Sequence, residues 1–196
     1  MRLALALLGL APSAARWCQV ESVKADVYSD YTFAGPWRVD GCTTLSIDHG
    51  KCTEDICPHR IKFVDDELVE LADALHGNTV LTALSIMSNN ATDETAKALA
   101  EALRDNEVLQ ERNLNDCKIG DEGATALAEV FHDNPVFITL NIENNRLTDD
   151  GGRALLELLK SNASSFETVY AGGNKLSPAL LAEIADEMKR QMTPPE

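Results

Sequence analysis

The sequence predicts an α/β protein built as a short solenoid of repeats of about 28 residues, and three observations carry that reading. The first is a recurring motif. Leu81-x-x-Leu84-x-Ile86-x-x-Asn89 returns 28 residues later as Leu109-x-x-Arg112-x-Leu114-x-x-Cys117, and again after 28 as Phe137-x-x-Leu140-x-Ile142-x-x-Asn145. Phe166-x-x-Val169-x-Ala171-x-x-Asn174 follows after 29, and an interrupted earlier copy begins at Leu45-x-Ile47. The second is an amphipathic stretch after each copy. Its apolar sets are Leu68, Leu71, Ala72, Leu75; Ala96, Leu99, Ala100, Leu103; Ala124, Leu127, Ala128, Phe131; Gly152, Leu155, Leu156, Leu159; and Leu181, Ile184, Ala185, Met188. That i, i+3, i+4, i+7 spacing is one buried helical stripe per repeat. The third is composition: 196 residues, 44% hydrophobic and 25% charged, suit one domain with a real core.

These motifs resemble the leucine-rich repeats of the ribonuclease-inhibitor type, which also build the ligand-sensing halves of NOD-like receptors and the actin-binding end of tropomodulin. The resemblance spans roughly residues 40–190. It implies about four to five strand–loop–helix repeats, with a concave parallel sheet and helices on the convex side. Burial is then shared between neighbours, and one repeat alone is unstable. The recurring Asn fits this picture, because its amide can satisfy backbone groups where the chain turns away from the strand. Cys117 replaces it once, a swap that the family tolerates. No His adjoins Cys117, so it reads as a buried structural thiol rather than a nucleophile.

Two departures stand out. Arg112 occupies a position where Leu84 and Leu140 point inward, so it must snorkel outward, pair with Glu111 or Asp116, or mark an irregular strand. About eleven extra residues separate Ile47 from Phe63-Val64-Asp65-Asp66, and this insertion, around residues 48–62, carries Cys52, Cys57 and His59.

The ends differ from the repeats. Residues 1–15 have Arg2, an apolar run from Leu3 to Ala11 and small residues Ser13 and Ala15, the pattern of a signal peptide cleaved before Arg16. The competing reading is an uncleaved hydrophobic helix docked on a partner. No apolar run approaches the ~18–20 residues of a membrane span. Residues 16–41 break the repeat and hold Trp17, Tyr28, Tyr31, Phe33 and Trp37, an aromatic cap over the open end of the array or a partner patch. Residues 42–190 form the repeat domain, and 191–196 a tail. A cleaved leader places the protein in a secreted or lumenal setting; otherwise it belongs inside the cell within a larger complex. In an oxidising compartment Cys18, Cys42, Cys52 and Cys57 make two disulfides of open connectivity. Zinc is the alternative, with Cys42, His49, Cys52, Cys57 and His59 as donors, although tight Cys-x2-Cys spacing is absent. Asn90 and Asn162 head glycosylation sequons.

A net charge of -15 argues against nucleic acid and anionic membrane surfaces as partners. Gly172-Gly173 lacks the Lys-Ser or Lys-Thr of a phosphate loop, and no His-Glu-x-x-His or Gly-x-Ser-x-Gly occurs. Asp65-Asp66, Asp93-Glu94, Asp121-Glu122 and Asp149-Asp150 recur at the repeat period, so they read as helix N-terminal caps and dipole partners, not catalytic pairs. No cofactor is implied. Strand alternation puts Ser46, Ser85, Asn113, Asn141 and Tyr170 in one concave row and Asp48, Met87, Asn115, Glu143 and Gly172 in a second. The third row holds Thr44, Ala83, Glu111, Thr139 and Thr168. The expected function is a non-enzymatic protein-interaction module, an accessory or scaffold subunit whose protein partner presents basic or polar surface. The alternatives are a zinc-containing structural module, a tropomodulin-like cytoskeletal protein and an enzyme inhibitor. The leader, the cysteine cluster and the lack of an actin-binding N-terminal extension oppose the cytoskeletal reading, and the small number of repeats opposes the inhibitor.

Overall fold

The computed structural model describes residues 17–19, 44–47, 62–132, 139–161 and 168–192. The leader, Cys42, Asp48, His49, Cys52, Cys57, His59, Asn162 and the aromatics from Tyr28 to Trp37 lie outside them, and Cys18 enters only through its backbone. The strands are β1 (Trp17–Gln19), β2 (Thr44–Ser46), β3 (Ala83–Ser85), β4 (Glu111–Asn113), β5 (Thr139–Asn141) and β6 (Thr168–Tyr170). The helices are α1 (Asp65–Leu75), α2 (Asp93–Ala102), α3 (Asp121–His132), α4 (Asp149–Lys160) and α5 (Pro178–Met192). The strands form one parallel sheet in chain order, and each helix packs on the next.

Register follows the repeat: Leu45, Leu84, Arg112, Leu140 and Val169 are partners across five strands. Leu45, Leu84, Leu140 and Val169 meet the helix stripes in a single buried core. The additional strand, β1, was not expected within a segment that breaks the motif. Trp17–Gln19 pairs in register with Thr44–Ser46. A rung needs only backbone donors and acceptors, so it can form where the side-chain motif is missing.

The asparagine row joins successive repeats. Asn145 donates to the carbonyls of Leu114 (2.8 Å), Ile142 (3.1 Å) and Glu143 (3.0 Å), and accepts from the N–H of Ile119 (2.9 Å). Asn89 likewise donates to Ile47 and Ile86 and accepts from Phe63, while Asn174 serves Ile142, Ala171, Asn145 and Leu147. Cys117 keeps part of this role, with Sγ 3.6 Å from the Ile86 carbonyl. The residue before each of these four has positive φ: Ser88 (61°), Asp116 (54°), Asn144 (54°) and Gly173 (72°). At Gly173 a Cβ would sit 2.1 Å from Asn144 Oδ1, so close approach of that side chain, more than the φ that Ser88, Asp116 and Asn144 also adopt, favours glycine.

The acidic pairs are in the first helical turns, as expected, but the first member of each works across the repeat boundary. Asp65 accepts from the N–H (2.8 Å) and hydroxyl (2.7 Å) of Thr92 and from the Thr95 hydroxyl (2.5 Å). Asp93 accepts from the N–H groups of Gly120 and Gly123, and Asp149 from that of Ser177. Asp121 accepts from the N–H and hydroxyl of Thr148 and the N–H of Gly151. The caps themselves are other residues: the Thr92 hydroxyl accepts from Glu94 N–H, and Ser177 from Leu180 N–H. An added Cβ at Gly151 would lie 2.5 Å from Asp121 Oδ1, so that contact depends on glycine.

Two expectations need correction. Arg112 neither snorkels nor distorts its strand. It is 2% exposed in regular register, while Glu111 and Asp116 are exposed, and its guanidinium carbon lies 4.5 Å from the centre of the buried Phe131 ring. The aromatic face offers the cation an electrostatic partner where a leucine would otherwise pack. Burial lowers its pKa to about 9, which leaves it charged at neutral pH. The second correction concerns Leu181, which is 36% exposed, whereas Leu180 is buried. Leu176 and Leu180 close over Gly152, which turns the buried stripe of α5 by one position relative to its start.

Replacing Asn145 with Ala should cost about 2–4 kcal/mol in urea unfolding, since it strands several buried backbone groups. The aspartate bridges add a pH dependence. Burial alone would raise the Asp65 and Asp121 carboxyls, but their hydrogen bonds prevail and both end below the ordinary 3.8; Asp149 is lowered chiefly by the Ser177 N–H. Their contribution is therefore full above pH 3.8 and is lost as pH falls through the lowered folded values. Asp121→Asn should lose about 1 kcal/mol at pH 7, with the gap to the parent narrowing below pH 4 in acid titrations of stability.

Candidate functional site: the concave face

Parallel pairing brings the expected rows together. Ser46, Ser85, Asn113, Asn141 and Tyr170 are register partners, as are Thr44, Ala83, Glu111, Thr139 and Thr168. Met87, Asn115, Glu143 and Gly172 follow two residues on; Asp48 lies outside the described residues. Most of these side chains are half-buried, while Glu111 and Tyr170 are exposed, Tyr170 at 47%.

The asparagines are held in place. Asn113 Oδ1 accepts from the Asn115 N–H and Asn141 Oδ1 from the Glu143 N–H, both at 3.1 Å. These contacts fix the chain as it leaves each strand. Asn113 Nδ2 lies 3.6 Å from Met87 Sδ, and Asn144 Nδ2 donates to Asn115 Oδ1 at 3.1 Å. The Glu143 carboxylate leans toward the next rung, where its Oε1 would stand 3.1 Å from a Cβ on Gly172. The result is a polar floor with two carboxylates and one aromatic ring at its C-terminal end.

Elsewhere the chemistry is structural. Cys117 is buried, and burial raises its thiol to about 11. Its sulfur faces the N–H groups of Asn89 and Ala91, the places that Asn174 Oδ1 serves one repeat pair later. Among the described residues no three His, Cys, Asp or Glu side chains are grouped to hold a metal, and no helix is long and apolar enough to cross a membrane. A shallow hollow between α2 and α3 is lined by Lys97, Asp121, Glu122, Thr125, Ala126 and Glu129, with Lys97 and Glu122 paired at 2.5 Å. Asn90 is half-buried, and the Thr92 of its sequon caps α2.

A second asparagine row was missed in the sequence. Asn78 Oδ1 accepts from the N–H groups of Val80 and Leu81, and Asn106 Oδ1 from those of Val108 and Leu109. Asn106 Nδ2 donates back to the Asn78 carbonyl at 2.9 Å. Asn162, read as a glycosylation candidate, falls on the same 28-residue spacing. That spacing was the available signal.

A family model described as Leucine Rich repeat matches residues 77–100, 105–128 and 133–156. These are leucine-rich repeats. Among solved structures, the chain is similar to leiomodin-1 actin-binding site 2, at 20% identity and a TM-score of 0.60, over 78% of this chain and 82% of that one. It is also similar to the tropomodulin C-terminal domain of Caenorhabditis elegans, at 18% identity and a TM-score of 0.50, over 65% and 93% of the two chains. At such identities the likeness is one of fold. No curated protein matches the chain in sequence.

The burial of Cys117 has a direct chemical consequence. With a pKa of about 11, about one thiol in a thousand is ionised at pH 8. A thiol-reactive dye should therefore label Cys117 in a mass-spectrometric time course only after urea is added.

Proposed function

We propose that this leucine-rich-repeat chain is a non-enzymatic protein-interaction module that seats a partner on its concave face, as an accessory or scaffold subunit. The observation that carries this reading is the pinned floor of Asn113, Asn115 and Asn141, ending at the exposed Tyr170. Side chains already held by the backbone lose little freedom on binding, and an exposed tyrosine is a frequent interface anchor. Glu111 and Glu143, with the net charge of -15, favour a partner with a basic or polar surface. The leader pattern and the clustered cysteines support a secretory location.

A second reading is favoured by the fold likeness to leiomodin-1 actin-binding site 2: the partner is actin. Cosedimentation with filamentous actin separates the two, since pelleting of this chain supports the second.

The main reading is tested by placing a photo-crosslinking side chain at Ser85 or, on the convex side, at Glu101, in protein expressed in its native cells. A discrete adduct at Ser85 that disappears with Tyr170→Ala, and no adduct at Glu101, is the expected outcome. The same adduct from both positions, or one indifferent to Tyr170→Ala, would remove the concave face as the docking surface.

A further inference from the structure

A different surface runs against the charge of the whole molecule. The residues after the four asparagine-row positions are Asn90, Lys118, Arg146 and Lys175, and the backbone bond from Asn90 to Phe63 puts Lys62 in the equivalent place one repeat earlier, so four of five places hold cations. Lys118, Arg146 and Lys175 are exposed, and Lys62 and Asn90 are half-buried. Backbone bonds stack them: the N–H of Asn90 donates to the Phe63 carbonyl, Lys118 to Ala91, Arg146 to Ile119 and Lys175 to Leu147, all at 2.8–2.9 Å. The residues on either side of Lys118 and Arg146 are buried, so the two charged side chains are turned outward.

Within two residues of this row acids are sparse, and the acidic pairs of the helix starts begin three residues on. Two positions before it stand Ser88, Asp116, Asn144 and Gly173; two after it stand Val64, Thr92, Gly120, Thr148 and Ser177. Asp116 is the single charge among them. The aspartates one step further on, Asp65, Asp93, Asp121 and Asp149, remain charged, but their carboxylates are tied to N–H and hydroxyl groups of the following repeat rather than to these cations. Among the described residues the ion pairs involve Lys97, Arg104, Lys160, Lys189 and Arg190, and none of the four cations of this row. Like charges held on adjacent rungs, about 5 Å apart, repel one another. An anionic ligand would relieve that repulsion.

We propose that the row Lys62, Lys118, Arg146 and Lys175 is a second docking surface, which binds an extended acidic segment of a partner protein. Five rungs span about 20 Å, the reach of about six residues of extended chain. A strip one residue wide matches a single peptide carrying Asp or Glu side chains, with Arg146 able to grip a carboxylate through both ends of its fork. Nucleic acid and anionic vesicles fit less well. Their extended charge would meet the acidic helices beyond the strip, on a protein of net charge -15.

The test uses the full chain and a fluorescein-labelled ten-residue peptide of alternating Glu and Gly, read by fluorescence anisotropy at low salt. Binding should weaken about tenfold or more in the triple variant Lys118→Gln, Arg146→Gln, Lys175→Gln. The control Lys160→Gln, Lys189→Gln, Arg190→Gln makes the same change in net charge elsewhere and should leave affinity within about twofold. Asn90→Lys, which fills the gap in the row, should tighten binding several-fold. Circular dichroism establishes that each variant is folded. Equal losses in both triple variants, no binding by the parent, no gain from Asn90→Lys, or tighter binding of a ten-residue oligothymidine or of phosphatidylserine vesicles would each overturn the proposal.

Discussion

The structure depends on satisfying backbone polar groups at the turn that follows each strand. A strand of three residues leaves the sheet abruptly, and the turn is driven into the interior because the strand and the helix stripe both bury there. Donors and acceptors in that turn would be costly without partners. One side chain per repeat meets them, the amide of Asn89, Asn145 or Asn174 or the thiol of Cys117, and because it reaches into the preceding repeat it also sets the stacking. The positive φ at Ser88, Asp116, Asn144 and Gly173 follows from the same demand, since the chain must swing to bring the amide inward.

Much of this was legible in the sequence because the constraint recurs. Apolar positions at fixed offsets exposed the period, and the period implied the register that aligns Leu45 with Leu84, Leu140 and Val169. What escaped notice was one-off or relational. Trp17–Gln19 carries no motif, because a rung can be made of backbone alone. The aspartates were placed on the right turn, yet their partners lie 27–30 residues away, a distance that single-helix reasoning does not span. Arg112 was recognised as an anomaly, but its answer, the Phe131 ring, sits on a neighbouring helix.

The concave rows were readable residue by residue from strand alternation. Their preorganisation was not, because it comes from the asparagines bonding to N–H groups two residues on and from Asn144 reaching across to Asn115. Alternation tells which way a side chain faces, not how much freedom it keeps. The basic row was missed for another reason. Each of its cations is unremarkable in its own repeat, and only stacking collects them on one strip of an acidic protein.

The two bridging rows also point in opposite directions. Amides reach back to the repeat before, and carboxylates reach forward to the repeat after. At the last described repeat, Asn174 still reaches back, but Pro178 occupies the place where Asp65, Asp93, Asp121 and Asp149 stand. The α5 repeat thus receives bonds from its neighbour and extends none through this row. The stack therefore has a sense of travel, and among the described residues the forward row stops at α5 while the backward row continues through it.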